Sequence, residues 1–366
     1  MIDSKVFNTK KTDYGSVSLI LGQQERGLFD TVNKQFPEIW KNYKSSKGQD
    51  WDENEFDYSS CRQDFKGCTK AEYDMMIKTL AYQWEADSVA ATAIAPVLAP
   101  FISSSELWAA WLKVTEIEAL HAATYSEIVR CSFDNPDDVL AEVLSVTEAM
   151  QRLKVVGNVM GKTYNTSHKY ALGLVDNCQD TYNDAMMFII ALYALERIQF
   201  MSSFAVTFAL CDTGLFQPIG KAVQKIAQDE LECHVQLDKL VLKHELKTER
   251  GATFFKQKQE EIKAVFDEVV ESELRWVDYL FSEGRELVGL NSDILKKWVL
   301  FNAKDCYDTL KVSANHPLPK SNPLKFMENW LDISKIQPSP QEQDVGMYRL
   351  NIMTRDDAGK TFDIDF

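Results

Sequence analysis

From Cys68 to Val156 the chain has no glycine, and from Gly220 to His316 it has no proline. Spans lacking one or other of the two strongest breakers can run as long helices. Apolar residues recur at three- and four-residue spacing over Thr69–Leu98, Ser104–Cys131, Asp138–His168, Asn177–Leu210, Ile219–His244, Gln257–Glu283 and Ser292–Ser313. That period gives a helix one buried face. Strand-like alternation is scarce, so the pattern predicts an all-α fold.

Composition narrows the function classes. With 366 residues, 45% hydrophobic and 26% charged, the chain can bury a large core. Its formal net charge of -15 repels a nucleic-acid backbone or an anionic membrane surface, so neither is an expected partner. The nearest approach to a membrane-spanning run is Val89 to Ile102, which contains Pro96 and Pro100. The start, Met1-Ile2-Asp3-Ser4-Lys5, lacks the apolar core of a secretion signal, and a cytoplasmic protein is expected. Seven scattered cysteines without a CxxC pair argue for reduced, mostly buried thiols and against a disulfide framework or a zinc site.

Five of the ten prolines fall in the last fifty residues (Pro317, Pro319, Pro323, Pro338, Pro340), which also carry the polar run Thr354 to Lys360. Such a composition predicts an extended, flexible tail. The tail closes with Phe362, Ile364 and Phe366, either fray or a peptide that docks in another protein's groove. The expected organisation is an N-terminal arm over residues 1–28, a helical domain over 29–315 and a tail over 316–366.

Chemistry concentrates in four predicted helices. Glu118 and His121 lie three residues apart, on neighbouring positions of one helix face, where both can ligate one metal. A single such pair is ordinary in a helical protein. The second cluster, Asp229-Glu230-Leu231-Glu232-Cys233-His234, makes coincidence harder to accept, because only five histidines exist. Asp87 and Glu196 sit in otherwise apolar helical stretches, where an unpaired charge costs several kcal/mol and calls for a counter-ion or a cation. Arg197 beside Glu196 offers the plain ion-pair alternative. Together the four helices present the ligand pattern of di-iron carboxylate bundles. Carboxylates with one nitrogen per metal suit iron or manganese, whereas structural zinc draws on thiolates.

Residue types and intervals together resemble the radical-generating small subunit of class I ribonucleotide reductase, from about Phe29 to the C-terminus. The resemblance rests on Trp51 to Asp87, Asp87 to Glu118, Glu118-x-x-His121-x-x-x-Tyr125, Glu196 to Glu230, and Pro340-Gln341-Glu342 followed by Tyr348. It implies a ferritin-like helical bundle in which Asp87, Glu118, His121, Glu196, Glu230 and His234 hold a di-iron, di-manganese or mixed pair activated by dioxygen. It further implies a stable radical on Tyr125, an apolar pocket of Phe200, Phe204 and Ile226, and radical transfer through Trp51 and Tyr348 with Asp229 as acidic partner. The implied assembly is a homodimer whose tail engages a separate large subunit that reduces ribonucleotides.

One departure stands out. The family's second cluster is usually Glu-x-x-His, but Glu230 and His234 are four apart, with Leu231 where the acid would be expected. Four residues overshoot a full turn by roughly 40°, so either the site tolerates that offset or a one-residue π-bulge absorbs it. Glu232 is expected to point away. Cys233 reads as core, and His168, His244 and His316 as surface or capping residues. No glycine-rich phosphate loop is visible. Rival readings are another di-iron oxidase or oxygenase of the same fold acting on an apolar substrate, which has no need for Tyr348, a metal storage or ferroxidase bundle, which does not require Trp51, or a helical scaffold.

Overall fold

The computed structural model describes residues 18–22, 29–30 and 32–332, and among them the only pairing of β type is two isolated bridges. The helices are α1 (Pro37–Lys47), α2 (Cys61–Gly67), α3 (Lys70–Leu98), α4 (Ser105–Ser132), α5 (Pro136–Leu144), α6 (Thr147–Ala171), α7 (Gln179–Ala194), α8 (Phe200–Asp212), α9 (Gln217–Gln228), α10 (Val235–Glu245), α11 (Glu249–Leu280), α12 (Ser292–Leu310) and α13 (Phe326–Trp330). Two π-helical turns, Leu195–Gln199 and Asp229–His234, join α7 to α8 and α9 to α10.

Local chemistry sets the helix starts. Thr69 and Glu72 form a reciprocal capping box at the head of α3. Ser104, Thr248 and Asn291 accept backbone N–H bonds at the heads of α4, α11 and α12. The fold is then a matter of burial. α3 lies along α4, α6 along α7 and α11 along α12, and their apolar faces merge into one core.

Several boundaries differ from the sequence expectation. The span Asp138–His168 is two helices, because the chain turns at Ser145 and Val146. Val139 and Val143 of α5 and Val146 are buried where α5 meets α3 and α4, while α6 packs against α7, α3 and α11. α11 starts at Glu249 rather than Gln257 and passes through Gly251, where a Cβ would lie only 1.9 Å from the Glu245 carbonyl oxygen. Glycine there permits close approach instead of breaking the helix. α1 and α2 precede the spans that periodicity picked out.

Gln179–Asp212 forms one helical rod that is long and apolar enough to cross a membrane by length and composition, more so than Val89–Ile102. Of its most apolar window 94% is buried inside the fold. The rod is apolar because neighbouring helices surround it.

Of the N-terminal arm, Leu19, Ile20 and Leu21 are buried, with Leu21 N–H donating to the Phe101 carbonyl at 2.7 Å. At the other end, the stretch expected to run extended from His316 includes a packed piece. Leu324 and Met327 are buried, and Trp330 stacks on Phe208 with ring centres 4.6 Å apart. Those apolar side chains cover the end of α8. Tyr348, Phe362, Ile364, Phe366 and the rest of the tail beyond residue 332 lie outside the described residues.

Candidate metal centre

Six side chains from four segments converge in the interior. Asp87 comes from α3, Glu118 and His121 from α4, Glu196 from the first π-turn, and Glu230 and His234 from the second. None is more than 1% exposed. They form two overlapping groups, Asp87, Glu118, His121 and Glu230, and Glu118, Glu196, Glu230 and His234; within each, the potential ligand atoms all lie within 4.8 Å of one another.

The unusual Glu230–His234 spacing has a structural answer. The segment from Asp229 to His234 is π-helical, so an extra residue fits into the turn and His234 returns to the Glu230 face. His234 Nδ1 lies 3.2 Å from Glu118 Oε1 and 3.3 Å from Glu230 Oε2. Glu232 is exposed, as its place on the helix predicted. A second π-turn at Glu196 has no signature in the residue spacing. Arg197 does not neutralise Glu196; it turns the other way and pairs with Asp305 at 3.3 Å.

The atoms facing the interior make no hydrogen bonds and face one another instead. Both oxygens of Asp87, Glu118, Glu196 and Glu230, Nδ1 of His121 and both ring nitrogens of His234 are buried without a hydrogen bond. Such groups are costly in a folded protein unless something else satisfies them. Without a cation, protons must do so. Burial, followed by the nearby Glu118 charge, pushes the Asp87 carboxyl well above its ordinary value. Burial and the adjoining Asp238 do the same to Glu196. For His234 burial disfavours charge, but Glu230 and Glu118 prevail and raise it to about 10. Four carboxylates and two imidazoles with inward lone pairs fit a pair of iron or manganese ions.

Asp238 escaped the sequence reading. It lies one helical turn past His234, is buried, and is pushed up to about 8, chiefly by desolvation. Its spacing from His234 was the available signal, but an isolated acid on an α-helix carries no mark of burial.

His121 faces two ways. Nδ1 points at the carboxylates, 3.4 Å from Glu230 Oε1, while Nε2 meets Asp229 Oδ2 at 3.2 Å. Trp51 Nε1 donates to the same Asp229 oxygen at 2.8 Å, and the Trp51 and His121 rings stack with centres 6.2 Å apart. A second carboxylate of this kind fixes the orientation and tautomer of an imidazole ligand. Tyr125, one turn beyond His121, is wholly buried and its hydroxyl has no hydrogen-bond partner. Burial, then the charges of Asp87, Glu230 and Glu118, raise its phenol well above the ordinary range. Phe200, Phe204 and Ile226 are also wholly buried, and the two phenylalanine rings stack 5.7 Å apart. Cys233 is core, while His168, His244 and His316 lie towards the surface, the last two beside Glu38 and Glu271.

Comparison with known proteins agrees with this geometry. The chain is 26% identical over 317 residues to the ribonucleoside-diphosphate reductase subunit beta of Haemophilus influenzae, covering 81% of this chain and 82% of that one. Its fold matches the ribonucleotide reductase R2 subunit from Clostridium botulinum at a TM-score of 0.78 and 20% identity, over 91% of this chain and 99% of the other. It matches the dimanganese(II)-NrdF of Streptococcus sanguinis at 0.64 and 14%, over 83% and 98%. A family model described as ribonucleotide reductase, small chain, matches residues 28–323. A ferritin-like helical bundle that matches this family over most of its length is accordingly a class I oxidoreductase component, and the chain belongs to the ribonucleotide reductase small-chain family.

Proposed function

We propose that this chain is the radical-generating subunit of a ribonucleoside-diphosphate reductase, in which Tyr125 is oxidised by one electron and stores that equivalent for a separate large subunit. The observation that carries the reading is the set of buried ligand-type atoms that converge without hydrogen bonds, with Tyr125 one helical turn beyond His121. Asp87, Glu118 and His121 would hold one ion and Glu196, Glu230 and His234 the other, with Glu118 and Glu230, common to both groups, between them. Bound iron or manganese supplies one-electron oxidising chemistry, with dioxygen as the oxidant. The name of the Haemophilus relative supports a diphosphate substrate, and the dimanganese(II) protein of Streptococcus keeps manganese beside iron.

The chain's own residues do the rest. Phe200, Phe204 and Ile226 exclude water from the surroundings of Tyr125, which lets a phenoxyl radical persist. Asp229 accepts the Trp51 indole N–H and orients His121, so the route from the centre towards the surface has a proton acceptor at its first step. Tyr348 in the tail carries the equivalent onward to the large subunit. The same reading makes the protein a cytoplasmic homodimer with neither nucleic acid nor membrane as partner.

Electron paramagnetic resonance after adding ferrous iron and oxygen tests it. Wild type should give a tyrosyl signal that Tyr125→Phe abolishes; the same signal in the variant would refute the assignment.

A further inference from the structure

A second buried charge lies near the ligand cluster and takes no part in it. Arg152 of α6 is 2% exposed and Glu273 of α11 is wholly buried. The guanidinium donates through Nε and Nη2 to the two Glu273 oxygens, each at 2.6 Å. Its other bonds go to Ser203 Oγ at 3.1 Å, Ser202 Oγ at 2.9 Å and the Gln199 carbonyl at 2.6 Å. Its central carbon is 3.4 Å from the centre of the Tyr82 ring and 4.4 Å from that of Trp276.

Those two rings begin a path outward. Tyr82 precedes Asp87 by five residues on α3, and its ring centre lies 6.0 Å from that of Phe200. The Tyr82 and Trp276 rings are 6.0 Å apart, and Trp276 is 5.4 Å from Tyr279, which is partly exposed. Phenol and indole are among the most easily oxidised side chains, so the series is a potential leak. Tyr82 would give one electron and its hydroxyl proton to the Tyr125 radical, restoring the Tyr125 phenol and leaving the radical on Tyr82. The same exchange would pass it to Trp276 and Tyr279, where a thiol in solution would quench it.

Two features oppose that loss. A cation against an aromatic face is attracted to the intact ring, and the attraction is forfeited when the ring gives up an electron. The Tyr82 hydroxyl and Trp276 Nε1 are also buried without an acceptor, so no hydrogen bond is in place to carry the proton that each exchange must move. Trp51, by contrast, already donates to Asp229.

We infer that Arg152, held by Glu273, is a specificity-determining residue that keeps Tyr82 and Trp276 from being oxidised and so confines the oxidising equivalent to Tyr125 and Trp51. The part concerning Tyr125 rests on the function proposed above; the resistance of Trp276 is a property of the metal-free chain.

The test begins there. Trp276 and Trp298 are each 2% exposed, and Trp298 donates to the Met201 carbonyl with no cation found against its ring among the described residues. Full-length metal-free protein is exposed to photochemically generated carbonate radical, and oxidation at each tryptophan is read by peptide mass spectrometry. Trp276 should be oxidised about threefold less than Trp298, because Glu273 offsets part of the field of the guanidinium. The double variant Arg152→Gln with Glu273→Gln should close the gap. Equal or greater oxidation of Trp276 in wild type overturns the inference, and that comparison needs no variant to fold. In iron-loaded protein, the Tyr125 signal should decay faster in the double variant; an unchanged decay also overturns it. Absence of any Tyr125 signal in wild type would instead refute the proposed function, and the metal-free comparison would then decide the inference alone.

Discussion

Arg152 with Glu273 and the six ligand-type side chains are both buried charge in one helical bundle, but they are balanced differently. In the Arg152 cluster both carboxylate oxygens and all three guanidinium nitrogens have protein partners. In the other cluster eight carboxylate oxygens and three ring nitrogens make no hydrogen bond and crowd against one another. A cluster that satisfies itself holds helices together, whereas one whose lone pairs point at a common centre is complete only with something the chain does not contain. Burial and charge alone would not have told the two apart.

The contrast can be broken by experiment. The largest effect is expected for Glu273→Ala, which strands the Arg152 charge and should lower stability by about 3–5 kcal/mol in denaturant unfolding; a loss under about 1 kcal/mol would mean the pair is not the structural element described. Next comes pH in the metal-free protein. Asp238 is raised from 3.8 to about 8, so the stability it contributes is whole below the lower value and lost as pH climbs through the higher. His234, raised from 6.5 to about 10, acts in the same sense. Glu118, lowered from 4.5 to about 2 because His121 and His234 outweigh burial, opposes them only in acid. Melting temperature should therefore fall between about pH 6 and 9, and a rise over that window would contradict the proton-balanced cluster. The smallest change in stability falls on Asp87→Asn. Its carboxyl is already held neutral without metal, so metal-free unfolding should move by less than about 1 kcal/mol, while metal analysis after reconstitution shows the variant failing to retain a full pair. Large destabilisation without metal would place Asp87 in the self-satisfied class.

Much of the site was legible because its candidate ligands recur at intervals that helical geometry makes meaningful. Glu118 and His121 are neighbours on any α-helix, and Asp87 and Glu196 stand out as charges in apolar runs. His234 was legible only with its offset, which the π-turn over Asp229–His234 absorbs. The π-turn at Glu196 left no trace in the residue spacing. Asp238, Arg152 and Glu273 looked like ordinary polar residues of amphipathic helices; their burial follows from which face each helix turns inward.

By itself, then, the amino-acid order determined the helices, their caps and the candidate ligands, because these depend on interactions a few residues apart. Which carboxylates meet, which guanidinium finds a partner and which hydroxyl is left alone were decided by tertiary packing. Those distances join residues far apart in the chain, and local periodicity carries no information about them.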